Sequence, residues 1–144
     1  MPGRSRSPRR VFRMTLPSTP KSIARVESFL QKVNQAAQLD EIAFHKVMVS
    51  LTEAVNNAIM HGNRAQREKK VRVRCEIQDN GLFFSVSDEG KGFRPELIDN
   101  PLKDENLLKE SGRGVFLMRT LMDRVEFHHS EDGMEIRLSL NRPM

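Results

Sequence analysis

Between residues 71 and 87 the sequence reads as a two-faced hairpin. Val71, Val73, Cys75 and Ile77 alternate with Arg72, Arg74 and Glu76. Asp79-Asn80-Gly81 then supplies a tight turn, and 82–87 runs back as the return strand. A period of two places the four apolar side chains on one face and the charged ones on the other. An isolated two-stranded hairpin is marginal in water, so the apolar face needs a cover. The rest of the chain has the means to supply it. Residues 12–16 read as a short strand, and 124–129 with 134–140 read as a last hairpin around Glu131-Asp132-Gly133. Ser18-Thr19-Pro20 reads as a helix start, with Ile23, Val26, Leu30 and Val33 at helical spacing over 20–38. Asp40 can cap a second helix running to about residue 61, with an apolar stripe of Phe44, Val47, Met48, Leu51, Val55 and Ala58, ended by Gly62-Asn63. Residues 115–122 read as a third helix after a long connection over 88–114. The order is β-α-α-β-β-loop-α-β-β, with no internal repeat. It predicts an α+β fold, a two-layer sandwich with helices packed on one face of a mixed, mostly antiparallel sheet.

A chain of 144 residues is one domain's worth and buries a core without disulfides or structural metals. Its one cysteine excludes a disulfide framework and a multi-cysteine zinc site. The chain carries 24 Lys and Arg against 19 Asp and Glu. Arg4, Arg6, Arg9, Arg10 and Arg13 stand in a stretch without acids, and without them 19 bases face 19 acids. We therefore expect a disordered basic arm over 1–10, read as a solvated tail, ahead of a single neutral domain over 11–144. The neutral body argues against nucleic acid as the partner. No apolar run reaches the roughly 18 residues of a membrane span, and no apolar stretch follows the basic start. The expected location is the cytoplasm.

Three short motifs carry chemistry. In the second helix Glu53 lies opposite the apolar stripe, and Asn57 follows one turn later beside it. A carboxylate and an amide oxygen together suit a hard cation and an activated hydroxyl; alone, the pair reads equally as a solvated helix face. Asp88-Glu89-Gly90-Lys91-Gly92 follows a strand directly. Its two glycines let a ligand approach the backbone, and an aspartate there can accept from an exocyclic amine; alone it is a polar turn. Ser111-Gly112-Arg113-Gly114 leads straight into a helix, where free N–H groups and the helix dipole attract anions; alone it is a hinge.

In that order, with a long lid between the last two, the motifs resemble the GHKL ATPase fold shared by gyrase-type ATPases, heat-shock chaperones, histidine kinases and mismatch-repair proteins. Within it, Glu-Ala-Val-Asn-Asn-Ala-Ile-Met-His-Gly-Asn (53–63) and Gly-Arg-Gly-Val-Phe-Leu-Met-Arg-Thr-Leu-Met-Asp (112–123) are most similar to the anti-sigma factor/serine-protein kinase branch. The resemblance spans roughly 11–140. It implies ATP and Mg²⁺ as cofactors. Glu53 would be the general base for an acceptor serine, and Asn57 the Mg²⁺ ligand. Asp88 would bind the adenine amino group, with Gly90 and Gly92 shaping that wall. Ser111, Gly112, Arg113 and Gly114 would close over the phosphates at the end of a lid spanning 95–111. His61 and Asn63 stand at the helix end and pocket edge. The implied partners are a sigma factor and an anti-sigma-factor antagonist that is phosphorylated on serine. A homodimer is the family expectation, with the first helix and adjoining loops as a dimer or partner surface.

Two positions depart from the pattern. Many relatives carry a threonine after the glycine of the last hairpin, whereas Met134 follows Gly133 here, so that contact must come from water or another group. Arg113 can neutralise phosphate charge or face solvent. These departures keep open a non-catalytic ATP-binding partner-switch protein. A detached histidine-kinase catalytic domain lacks a phosphoacceptor hairpin here. The remaining candidates read as structure. Met48, Met60, Met118 and Met122 are core filler or partner surface, and Cys75 is a buried thiol. His128 and His129 face opposite sides of a strand. Arg119, Asp123 and Arg124 form a solvated helix end.

Overall fold

The computed structural model describes residues 10–90 and 113–142. Along the chain these form β1 (Arg10–Pro17), a 3₁₀ turn (Pro20–Ile23), α1 (Ala24–Ala37), α2 (Glu41–Asn57), a π-helical turn (Ala58–Gly62), β2 (Lys70–Gln78), β3 (Gly81–Ser87), α3 (Arg113–Leu121), β4 (Arg124–Ser130) and β5 (Gly133–Asn141). The expected arm, apart from Arg10, and the expected lid lie outside the described residues.

The strands join in the order β1-β2-β3-β5-β4, and all four pairings are antiparallel. The reading allowed for a mixed sheet; the described strands take the antiparallel option throughout. The alternation read in β2 propagates across the register. Met14, Val73, Val86, Ile136 and Phe127 form one inward row, and Phe12, Cys75, Phe84, Leu138 and Val125 the next. Between them runs an outward row of Arg13, Arg74, Ser85, Arg137 and Glu126. The outward face carries ion pairs between alternate residues of one strand, Arg74–Glu76, Arg124–Glu126 and Arg137–Glu135. Side chains two apart share a face, so these pairs form within single strands.

The three helices cover the inward face. Asp40 caps α2 as expected, its Oδ1 accepting from Ala43 N at 2.8 Å. Val47, Leu51, Val55 and Ala58 are buried, while Phe44 and Met48 pack half-buried against them. The expected cap of the first helix differs. Thr19 makes no side-chain cap bond, and the first turn, Pro20–Ile23, is 3₁₀ rather than α. Its neighbours tie the turn down instead: Ser18 Oγ donates to Lys69 O at 2.6 Å, and Ser22 Oγ donates to Pro17 O at 2.7 Å. A serine bonded across the chain is unavailable as a helix cap.

Arg119, Asp123 and Arg124 are exposed at the end of α3, as expected, and Asp123 Oδ2 accepts from Asn141 N at 2.6 Å, which ties this end to β5. Arg119 lies over the Phe127 ring, 5.6 Å from its centroid. Met118 and Met122 are core, and Met60 is exposed. Among the described residues no helix is long and apolar enough to cross a membrane.

Cys75 is fully buried on the inward face, and burial pushes its thiol up to about 12. A thiol held protonated is a poor nucleophile. Iodoacetamide at pH 8 is expected to leave Cys75 unmodified in the native protein and to alkylate it fully in denaturant, as read by mass spectrometry. Equal rates in both conditions would mean that the β1–β2 face opens readily.

Candidate functional site

The α-helical ladder of α2 ends at Asn57, and the next five residues wind as a π-helix. The wider turn is closed by Asn63 N donating to Ala58 O at 2.8 Å, and Ala65 N donates to Ile59 O at 2.7 Å. A π-turn inside a helix commonly marks a functional position. Here it swings Gly62 and Asn63 against the end of β3. The sequence reads Gly62 as a helix stop through glycine's conformational freedom, yet the left-handed residues are Arg64 and Ala65. Gly62 is glycine for space. A Cβ there would collide with the Asp88 carboxylate, and one on Gly90 would collide with the Gly62 carbonyl.

Asp88 is nearly buried at this junction. Its Oδ1 accepts from Gly90 N at 3.0 Å and from Met134 N at 3.2 Å, and its own N–H donates to Met134 O at 3.0 Å. The position after Gly133 thus reaches Asp88 through the Met134 backbone rather than through its side chain. Gly133 has φ 147°, and a Cβ on it would strike the Asp88 carbonyl. Burial pushes the Asp88 carboxyl above the ordinary carboxylate range, against the opposing pull of the Met134 and Gly90 N–H groups and the charges of His129 and Lys69. Next to it, Glu89 is held below its ordinary range by the Lys70 N–H and by Arg72.

Glu53 and Asn57 sit one turn apart on α2, as the spacing predicts, and their face is not the solvated one that the pair alone also allows. Asn57 is buried and Glu53 half-buried, because the first turn of α3 packs over them. A Cβ on Gly114 would lie 2.6 Å from Glu53 Oε2 and 3.8 Å from Asn57 Nδ2. Beside this contact opens a hollow of about 730 Å³, bordered by Glu53, Asn56, Met60, His61, Arg113 and Gly114 among others. His61 stands at its edge, as read from the sequence. Arg113 is exposed at the α3 start. Gly92, Ser111 and Gly112 lie outside the described residues.

The structure therefore brings Glu53, Asn57, Arg113 and Gly114 together, and gathers Asp88 and Gly90 into a second cluster with Gly62 and Gly133. The π-turn joins the two. Asn57 Nδ2 is buried with no hydrogen-bond partner among the described residues. An orphaned donor beside a helix start fits an incoming phosphate oxygen. The Glu53 carboxylate and Asn57 amide form the hard oxygen set that suits Mg²⁺ sharing its shell with phosphate. Sequence reasoning missed the parts played by Gly62, Gly133 and the Met134 backbone. Only a close approach between distant segments reveals them.

A helix-covered antiparallel sheet with acid, amide and glycine groups at one end defines a nucleotide-site architecture, and residues 16–140 match the histidine kinase-like ATPase domain. The chain belongs to that family. It is similar to the anti-sigma F factor of Bacillus subtilis (strain 168), 36% identical over 126 residues that cover 83% of this chain and 82% of the relative. It is also similar to the serine-protein kinase RsbW of Staphylococcus epidermidis, 32% identical over 134 residues, 87% of this chain and 82% of the relative. Among solved structures it resembles the RsbU and RsbW domains of Rv1364c from Mycobacterium tuberculosis, with a TM-score of 0.64 and 18% identity. That likeness covers 93% of this chain and 33% of the solved one. The histidine kinase domain from the Erythrobacter litoralis EL346 blue-light activated histidine kinase gives a TM-score of 0.56 at 15% identity, covering 86% of this chain and 60% of that one. At these identities the structural likeness speaks for the fold.

The raised Asp88 carboxyl carries a stability prediction. A raised pKa means that the folded state holds the proton more tightly than the unfolded chain. Ionisation therefore subtracts stability as pH rises from the ordinary aspartate range through the raised value. Asp88→Asn keeps an oxygen for the Gly90 and Met134 N–H groups and removes the charge. It is expected to melt at or above the wild-type temperature at pH 7, with the gap closing in acid. Melting well below wild type at pH 7 would mean that the carboxylate charge stabilises the fold.

Proposed function

We propose that the chain is an ATP-dependent serine-protein kinase that also acts as an anti-sigma factor. It phosphorylates a serine on an anti-sigma-factor antagonist, and the unphosphorylated antagonist competes with a sigma factor for it. The observation that carries this reading is the convergence of the Glu53 carboxylate, the buried Asn57 amide and the Gly114 backbone at the start of α3. The names of the relatives support the same reading, and it places the chain in the cytoplasm as a homodimer that regulates transcription.

The division of labour follows from the chemistry of each group. Asp88, an acceptor held by two backbone N–H groups, receives the adenine amino group, and Gly90 with Gly92 lines that wall. The amide N–H groups at the α3 start face the phosphates, and Ser111, Gly112 and Arg113 close over them. Asn57 holds Mg²⁺ through its side-chain oxygen, and the ion supplies charge neutralisation along the phosphates when bound. Glu53 takes the proton from the acceptor serine hydroxyl as its oxygen bonds to the γ-phosphorus and the bond to ADP breaks. The packing of α3 beside Glu53 leaves that carboxylate half-buried at the border of the hollow where a serine would enter.

Glu53→Ala is expected to keep Mg²⁺-dependent ATP binding by calorimetry. Its phosphotransfer from labelled ATP to a candidate antagonist should fall by about 10²–10⁴-fold, the usual worth of a general base. Transfer at the wild-type rate would remove Glu53 from that role. Gly114→Ala should stay folded, since alanine favours a helix, while the added methyl displaces Glu53 Oε2 from 2.6 Å. Its melting temperature should hold and its transfer rate fall. An unchanged rate would mean that Glu53 does not need the α3 backbone against it.

A further inference from the structure

Asn63 ends the 53–63 motif, and the proposed kinase chemistry gives it no role. It follows the π-turn and is fully buried. Its Nδ2 donates to Ser18 Oγ at 2.8 Å and to Lys70 O at 3.0 Å. Its Oδ1 accepts from Glu89 N at 2.8 Å. One amide thus ties the end of β1, the start of β2 and the residue that follows Asp88. The Lys70 carbonyl can only accept and the Glu89 N–H can only donate, so the network dictates which way the amide points. Ser18 reinforces it, since its hydroxyl donates onward to Lys69 O and turns its lone pairs toward Asn63.

The consequence falls on Asp88. Glu89 N–H lies between the Asp88 carboxylate and Gly90, whose own N–H donates to Asp88 Oδ1. Gly62, the residue before Asn63, presses its backbone against both Asp88 and Gly90. Fixing the Asn63 amide therefore fixes the peptide that aims the Asp88 carboxylate. The Glu89 side chain secures the same peptide from outside, with Oε1 accepting from Lys70 N at 2.9 Å and Oε2 pairing with Arg72.

We infer that Asn63 is a positioning residue for base recognition: by holding the Glu89 N–H it aims the Asp88 carboxylate and so sets the preference for a 6-amino purine over a 6-oxo purine. This rests on the nucleotide reading of the site. A carboxylate accepts from the amino group of adenine and repels the carbonyl oxygen of guanine, so discrimination depends on where it points. An amide is the side chain the position calls for, because it needs a donor and an acceptor on one short stem.

The test measures ATP and GTP dissociation constants by calorimetry with Mg²⁺ on the full chain. Wild type is expected to favour ATP by about 100-fold or more. Asn63→Ala should lower that ratio at least about tenfold, through weaker ATP binding and unchanged or stronger GTP binding. Asn63→Asp keeps the oxygen that faces Glu89 N–H, so it should retain the ratio while melting at lower temperature. Val33→Ala, a truncation in the α1 core, should also lower melting temperature and retain the ratio. Asn63→Ser, too short to reach Glu89 N–H, replaces the alanine variant if that does not fold. An unchanged ratio in Asn63→Ala, or an equal loss in Val33→Ala, overturns the assignment of Asn63 alone. A wild type that binds neither nucleotide overturns the reading of the site, and this inference with it.

Discussion

The Asp88 carboxylate lies where the end of a strand meets the end of a helix, and that meeting depends on backbones that carry no side chain. Gly62 on the helix side and Gly133 on the neighbouring hairpin approach Asp88 more closely than a Cβ permits, and Gly90 beyond the strand approaches the Gly62 carbonyl in the same way. Their absence of side chains lets the helix layer sit down on the sheet at this end, and it leaves Asp88 sealed with its hydrogen bonds to Gly90 and Met134 intact. A buried carboxylate is costly unless its oxygens are satisfied. The same seal that shapes the wall therefore raises the pKa of Asp88 and sets strain on the fold at that point. Ionising a carboxyl buried in this way costs the fold stability.

The helix layer meets the site differently. α2 packs its apolar stripe on the sheet and its Glu53–Asn57 edge under α3. That double burial leaves Asn57 Nδ2 with no hydrogen-bond partner among the described residues. An unmet buried donor is a local conflict, and such conflicts concentrate at functional positions. The π-turn that follows is a second such place. It gives up regular helix geometry and in return delivers Gly62 and Asn63 to the junction with β3.

Much of the architecture was legible because its signals are local. The alternation in 71–77 and the Asp-Asn-Gly turn define a hairpin whatever it packs against, and Asp40 caps α2 through a bond three residues away. Glu53 and Asn57 were legible as neighbours for the same reason, since helix geometry alone sets their spacing. The misreadings concern groups whose partners are distant in sequence. Ser18 and Thr19 look like a helix cap, but Ser18 bonds to Lys69, 51 residues on. Gly62 does close the helical run, as read, but what requires a glycine there is Asp88.

By itself the sequence determined the order of elements, the two faces of the sheet and the residue types available for chemistry. Each of these follows from periodicity, turn chemistry and side-chain functional groups read within about one helical turn or one strand. Only the tertiary structure decided that Asn57 is buried, that Met134 serves Asp88 through its backbone, and that Asn63, at the helix end, is also a hub. Those outcomes depend on which distant backbone arrives within hydrogen-bonding distance, and a close approach of that kind leaves no local pattern in the chain.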